Sequence, residues 1–327
     1  MPPFPLVTGI IAPTQVFFHQ DTEELDLETI GKHAVRLARA GIAGIATNGS
    51  NGEAVYLSVE ERAKVTKTTR QALDSSGFSH VPIMVGASDQ SVAGTLRLCH
   101  DAAASGGDTA LIMVPSFYKW AMDAAAMERY FKQVADGSPL PIVIYNYPAA
   151  VAGIDLDSDM IERLASHPNI IGVKFTCGNV GKLARVARST HPITETCPEA
   201  KGTRPFYAYA GIADFILPAV AVGGSGAIVG AANVFPRACV NMYKLAIQGR
   251  EEEARQVQQQ LAQADWSLTR RAIPGFKAIL QHYHGYGGVP RQPMAALTSE
   301  EASQLCEEIR WMMDIELALP DATSSVL

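Results

Sequence analysis

The sequence predicts an α/β protein: a (β/α)8 TIM barrel followed by a C-terminal helical extension. Three observations predict it. Eight short apolar runs recur along the chain, each is followed by a stretch with helical patterning, and the alternation stops near residue 248. Runs that are apolar throughout are how strands buried on both faces of a parallel sheet read. A strict βα rhythm implies right-handed crossovers, and eight such units can close into a barrel that leaves no sheet edge.

The predicted strands are 6–12 (LVTGIIA), 42–47 (IAGIAT), 81–86 (VPIMVG), 109–114 (TALIMV), 141–146 (PIVIYN), 170–175 (IIGVKF), 206–210 (FYAYA) and 226–229 (GAIV). Helices are expected near 26–40, 58–74, 91–104, 121–136, 156–166, 179–189, 212–222 and 233–248. Gly41 stands where a helix-ending C′ glycine belongs. Ser58 precedes Glu60 and Glu61, an acidic first turn that complements the helix dipole. Beyond the eighth unit, 250–269, 272–283 and 299–316 also read as helices. The expected division is therefore a catalytic barrel over 1–248 and a helical extension over 249–327. Its tail after Pro320 (DATSSVL) is expected to be disordered.

Composition narrows the function. With 327 residues, 47% of them hydrophobic, and a mean hydropathy of +0.06, the chain can bury a large core. A net charge of −6 and no cluster of basic residues argue against a nucleic-acid partner. No apolar run reaches the roughly 18 residues that span a bilayer, so no membrane partner is expected. Met1–Pro5 carries neither a basic n-region nor an Arg-rich amphipathic pattern, so a cytoplasmic protein is expected. The five cysteines (Cys99, Cys177, Cys197, Cys239 and Cys306) are odd in number and lack a C-x-x-C, which fits reduced thiols. Cys177 alone is near a candidate site, and packing is the favoured reading of it. The histidines are scattered, with His282 and His284 two apart on different helix faces, so no metal or other cofactor is expected.

In a barrel of this kind the reactive groups stand at the C-terminal ends of the strands. Lys174 closes the sixth strand between Val173 and Phe175. A buried lysine is disfavoured as ammonium, and the neutral amine is a nucleophile for carbonyls. Position alone leaves a rim ion pair with a carboxylate equally open. Tyr145 closes the fifth strand, where a phenol could shuttle protons or simply fill the barrel. After the second strand comes Gly49-Ser50-Asn51-Gly52-Glu53. Its glycines would permit unusual backbone angles, its N–H groups could face an anion, and Ser50 offers a hydroxyl. An ordinary loop, with Glu53 opening the next helix, is the alternative. The glycines of 223–233 (GGSGAIVGAAN) lack the G-x-G-x-x-G spacing and are read as close backbone approach at the barrel mouth.

Together, GSNGE after strand two, YNYP ending strand five and GVK ending strand six resemble the dihydrodipicolinate synthase / N-acetylneuraminate lyase superfamily, from about Val7 to about Leu297. The resemblance implies that Lys174 forms the Schiff base, that Tyr145 transfers protons, and that Ser50 relays them. It also implies that the Ser50–Asn51 backbone cradles a pyruvate carboxylate and that Gly211 and Ile228 line the pyruvyl pocket. Tyr118, with Phe117 as competitor, matches a tyrosine inserted by a neighbouring subunit, so a homodimer or homotetramer is expected.

Members that make dihydrodipicolinate carry an Arg shortly after Y-N-x-P, and none follows Tyr145 here through Gly153. A substrate carboxylate there would lack its bidentate partner. The GSNGEA turn and residues 270–293 are more similar to the 4-hydroxy-2-oxoglutarate and 2-keto-3-deoxy-L-galactonate (L-threo-3-deoxy-hexulosonate) aldolase branches. The expectation is a pyruvate-forming class I aldolase acting on a 2-keto-3-deoxy sugar acid. A 4-hydroxy-2-oxoglutarate aldolase is the alternative and dihydrodipicolinate synthase a third. A catalytically silent barrel that binds a 2-oxo acid is the competing class.

Overall fold

A computed structural model describes residues 6–190 and 205–322. Eight parallel strands close into a barrel in chain order, each paired with its sequence neighbours and the eighth with the first. The units are β1 (Gly9–Pro13) and α1 (Leu27–Arg39), β2 (Gly44–Thr47) and α2 (Val59–Ser75), β3 (Ile83–Gly86) and α3 (Val92–Ala104), β4 (Thr109–Ile112) and α4 (Ala124–Gly137). There follow β5 (Ile142–Asn146) and α5 (Ser158–Ala165), β6 (Ile170–Phe175) and α6 (Val180–Thr190), β7 (Tyr207–Ala210) and α7 (Ile216–Ala221), β8 (Gly226–Ile228) and α8 (Pro236–Ile247). Three further helices, α9 (Glu251–Thr269), α10 (Ala272–His284) and α11 (Ser299–Ala318), complete the chain.

Local chemistry sets the boundaries. Asp26 caps α1 by accepting from the Thr29 N–H, and Gly41 leaves the helix at φ 88°. Ser58 and Glu61 form a reciprocal capping box on α2, and Thr298 and Glu301 form another on α11. The helix expected over 212–222 is shorter than its pattern. A 3-10 turn (Ala213–Phe215) precedes α7, so that Pro218 falls in the first turn, where its missing N–H costs nothing.

Alternation along the strands builds two cores. Ile11, Ala46, Met84, Leu111, Val143, Tyr145, Ile171, Tyr209 and Ile228 pack together inside the barrel. The opposite faces, among them Ile10, Ile45, Val85, Ile144, Val173 and Ala208, pack against the helices. The glycines of 223–233 act differently from expectation. The closest approach is at the opposite end from the mouth, where Gly226 pairs with Gly9 at the strand starts and a Cβ would lie 2.0 Å from the Gly9 carbonyl oxygen. Only Gly230 belongs to the mouth, where a Cβ would press on Asn51 and Phe276.

The tail also departs from expectation at its start. Asp321 pairs with Arg237, and the Ala322 N–H donates to the Arg39 carbonyl. The rest of the segment expected to be disordered, 323–327, lies outside the described residues, as do Met1–Pro5 and Cys197. No described helix is long and apolar enough to cross a membrane.

Candidate active site

Lys174 owes its direction to an irregularity in its own strand. β5 pairs Ile142 with Ile170 but Val143 with Gly172, so β6 holds one extra residue at Ile171. A bulge of this kind shifts the in–out alternation by one. Ile171 and Val173 accordingly pack on opposite sides, in the barrel interior and against the helices. Lys174 is returned to the interior face. Gly172 makes this possible, since a Cβ there would lie 2.6 Å from the Tyr207 carbonyl oxygen.

Lys174 is 2% exposed. In register it lies between Tyr145 on β5 and Tyr209 on β7. The two tyrosines differ in what their hydroxyls do. Tyr209 donates to the Val7 carbonyl at 2.7 Å and plugs the barrel floor, and its burial raises the phenol pKa well above its usual value. Tyr145 instead meets the Ser50 hydroxyl at 3.1 Å, while its ring centre lies 4.2 Å from the Lys174 Nζ. The three groups that the motifs singled out on β6, on β5 and after β2 are thus brought together.

Three lysines are buried among the described residues: Lys174, Lys182 and Lys277. Lys182 pairs with Asp155 and Lys277 with Glu53. Lys174 has no carboxylate partner among the described residues, so no described residue makes the rim ion pair with it. A buried amine without a charged partner costs stability.

The turn after β2 is built differently from expectation. Its left-handed residues are Asn48 (φ 54°) and Glu53 (φ 49°), not its glycines. Gly52 serves close approach, with a Cβ position 3.1 Å from the Thr14 carbonyl oxygen. Glu53 does not open α2; it is buried and precedes a 3-10 turn, Ala54–Tyr56. The backbone N–H groups of Ser50 and Asn51 donate to no described residue, which leaves them open to an anion. The Asn51 side chain accepts from Gln15 Nε2 at 3.3 Å.

Ile228 is fully buried in the same interior cluster as Tyr145. Gly211 donates its N–H to the Phe175 carbonyl, and a Cβ on it would collide with the Thr176 backbone. Tyr118 and Phe117 are not brought into the site of their own chain. Both are more than half exposed, and their ring contacts are with each other and with Trp120. Gln90 holds this loop by accepting from the Ser116 and Phe117 N–H groups.

Several residues to which the sequence assigned no role lie around these groups. Thr176 stands two residues beyond Lys174, and its buried hydroxyl has no hydrogen-bond partner. Tyr147 stacks on Tyr145 at 5.6 Å, and burial, then its neighbour, raises its pKa. His33 is buried inside a network: Nε2 meets Asn233 Oδ1 at 2.9 Å and Nδ1 meets the Tyr286 hydroxyl at 2.9 Å. Asn233 Oδ1 also accepts from the Gln15 N–H, so the chain of contacts runs from α1 to Asn51. Desolvation holds the His33 pKa well below the usual imidazole range. Asn146 turns away to bond Asp155 and the Leu156 N–H, which explains the asparagine of YNYP as a loop strut.

A closed (β/α)8 barrel with a buried lysine, a tyrosine and a serine gathered at strand ends is the architecture that the three motifs implied. The profile of the Dihydrodipicolinate synthetase family matches residues 6–311, and the chain belongs to that family. It is 49% identical to an L-threo-3-deoxy-hexylosonate aldolase of Aspergillus niger, over 98% of this chain and 99% of that protein. It is 46% identical to a probable mitochondrial 4-hydroxy-2-oxoglutarate aldolase of Emericella nidulans, over 96% and 98%. Among solved structures, a prophage protein of the family from E. coli K12, in complex with pyruvate, superimposes with a TM-score of 0.82 at 28% identity, over 94% of this chain and 99% of that one.

Proposed function

We propose that the protein is a class I aldolase that cleaves a 2-keto-3-deoxy sugar acid to pyruvate and an aldehyde. The observation that carries the reading is Lys174, buried with no carboxylate partner among the described residues and beside a tyrosine whose hydroxyl meets Ser50. The names of the relatives from Aspergillus niger and Emericella nidulans support the reaction class.

In this reading Lys174 Nζ attacks the C2 ketone of a 2-oxo-4-hydroxy acid, and loss of water gives a protonated imine. The imine draws electrons from C3. Tyr145, directly or through Ser50, takes the proton of the C4 hydroxyl. The C3–C4 bond breaks, the aldehyde leaves, and its bonding pair remains as an enamine. Protonation at C3 and hydrolysis release pyruvate and the free amine. The open N–H groups of Ser50 and Asn51 hold the C1 carboxylate, and Gly211 and Ile228 line the pocket of the pyruvyl group.

A neutral aldehyde half is supported by the segment after Tyr145, which has no basic residue through Gly153. A second reading has its own observation. Lys119 comes from the loop after β4, and its Nζ lies 2.6 Å from the Ala152 carbonyl, so an ammonium does border that segment. That cation could receive the second carboxylate of 4-hydroxy-2-oxoglutarate. Steady-state cleavage of 2-keto-3-deoxy-L-galactonate against 4-hydroxy-2-oxoglutarate, repeated with Lys119→Met, separates the two. Preference for the dicarboxylate, lost in Lys119→Met, would reverse the assignment.

The reading includes a second copy of the chain. Phe117, Tyr118 and Trp120 form an exposed edge-to-face aromatic row, with Trp120 81% exposed. A patch of that kind is costly to leave in water and fits a dimer contact that delivers Tyr118 to the neighbouring site. Sedimentation of wild type and Trp120→Ala tests it; a monomeric, fully active wild type would remove Tyr118 from the mechanism. A cytoplasmic location is proposed on the four free cysteines among the described residues, and cell fractionation is its test.

A further inference from the structure

We propose that the buried ion pair of Glu53 and Lys277 is a positioning device for Ser50, through which the C-terminal helix α10 holds the turn after β2. The inference rests on the aldolase reading above.

The turn is anchored at two left-handed residues that bracket Ser50. At the near end, Asn48 donates through Nδ2 to the Arg62 carbonyl and the Thr66 hydroxyl on α2. Its own carbonyl is seated on Gly86, where a Cβ would lie 2.0 Å away. At the far end, Glu53 donates its backbone N–H to the Ser50 carbonyl at 3.2 Å. The position of Ser50 is therefore tied by one hydrogen bond to a residue in a backbone conformation that side chains disfavour.

The Glu53 side chain is what holds that conformation. One carboxylate oxygen lies 2.6 Å from Lys277 Nζ, with both side chains fully buried. The other accepts the Arg291 backbone N–H at 2.8 Å. Lys277 is fixed in turn by the Val289 carbonyl at 2.9 Å and by the Phe18 ring, 4.7 Å away. Arg291 reaches back to Glu61 and to the Tyr56 and Glu23 carbonyls, closing the frame on α2 and on the loop after β1. Burial lowers the Lys277 pKa, and Glu53 offsets that only in part. A buried pair is poor support for stability but a good means of fixing one geometry.

The test is a double-mutant cycle read as exchange of the pyruvate C3 protons in deuterium oxide, followed by NMR below the melting temperature of every variant. That partial reaction needs the imine and the proton relay, but no aldehyde. Ser50→Ala is expected to slow exchange by at least about 10^2-fold, the lower end of the range for a proton-transferring group. Glu53→Gln is expected to slow it by a similar factor and to raise KM for pyruvate. The Ser50→Ala/Glu53→Gln enzyme should then be within about threefold of Ser50→Ala alone, because both changes remove the same relay. Multiplying effects overturn the proposal, as does a Glu53→Gln enzyme that melts earlier but keeps its exchange rate and KM. If Glu53→Gln does not fold, Glu53→Gln/Lys277→Met, which buries no unpaired charge, carries the same cycle; if that also fails to fold, the pair is a fold element and the proposal falls. Borohydride trapping of pyruvate on the wild type separates the two ideas. No adduct refutes the aldolase reading, whereas an adduct with multiplying effects refutes only the positioning role.

Discussion

Lys174 and Tyr145 are direct partners across β6 and β5, and the amine lies 4.2 Å from the centre of the phenol ring. No carboxylate among the described residues shares that space with them. The amine is thus packed against the ring whose hydroxyl meets Ser50.

Replacing Lys174 should therefore separate activity from stability. Lys174→Met is expected to lower cleavage by at least about 10^3-fold, as loss of a nucleophile does. Because it removes an unpaired buried amine, it should leave the melting temperature unchanged or raise it. Lys277→Met is expected to do the opposite to stability. It strands the Glu53 carboxylate and should cost about 3–5 kcal/mol. Denaturant unfolding of both variants checks the contrast, and a large loss for Lys174→Met would mean that it has an unseen partner.

Tyr145→Phe keeps the ring over Lys174 and removes the hydroxyl that meets Ser50. It should lower kcat by about 10^2–10^4-fold, the usual contribution of a positioned acid–base group. Tyr209→Phe loses a hydroxyl bonded to the Val7 carbonyl on the barrel floor. Its effect should fall on stability, by about 1 kcal/mol, with kcat changed little. Equal losses of kcat in the two variants would contradict the division of roles.

Gly172→Ala tests the bulge. Its methyl group would meet the Tyr207 carbonyl at 2.6 Å, which forces the strand pair to shift. A cost of about 1–3 kcal/mol is expected from the overpacking alone. A shift that disturbs the extra residue also turns Lys174, so borohydride trapping of pyruvate should fail in a variant that is still folded. Normal trapping would show that the bulge tolerates the change.

Stability should fall as pH rises from about 4 to about 7 and then level off. Asp265 on α9 and Glu316 on α11 accept the N–H groups of Ala213, and of Arg237 and Ala238. Burial pushes both carboxyls up to about 7, with Asp214 adding to the effect on Asp265 and Arg237 opposing it at Glu316. A folded-state pKa above the unfolded value means that their contribution is complete below about pH 4 and is lost as pH rises to about 7. The loss is on the order of a few kcal/mol. Melting temperatures measured from pH 5 to 8.5 should decline and then level off, and Asp265→Asn should flatten the curve. A flat wild-type profile would show that both groups stay ionised throughout.

The sequence was most informative where chemistry repeats locally. The βα alternation marked all eight units, because a strand buried on both faces must be apolar on both. Ser58 and Gly41 marked helix ends, because caps are made by neighbouring residues. The set of Ser50, Tyr145 and Lys174 was legible through motifs, although each residue alone had a structural alternative. The ion pair of Glu53 has no local signal, because its partner Lys277 is more than two hundred positions away. His33, Asn233 and Gln15 gave no signal for the same reason, as their hydrogen bonds cross from α1 to the loops after β8 and β1.

By itself, then, the sequence determined the barrel, the order of its strands and which three strand ends carry reactive groups, since periodicity and turn chemistry depend on near neighbours. The tertiary structure decided which way those groups face. One extra residue in β6 turns Lys174 inward, Tyr209 and Tyr145 are told apart only by what their hydroxyls reach, and the turn bearing Ser50 takes its shape from a carboxylate buried against α10. These are relations between distant parts of the chain. They come into being only when closure of the barrel and packing of the C-terminal helices bring those parts within hydrogen-bonding distance.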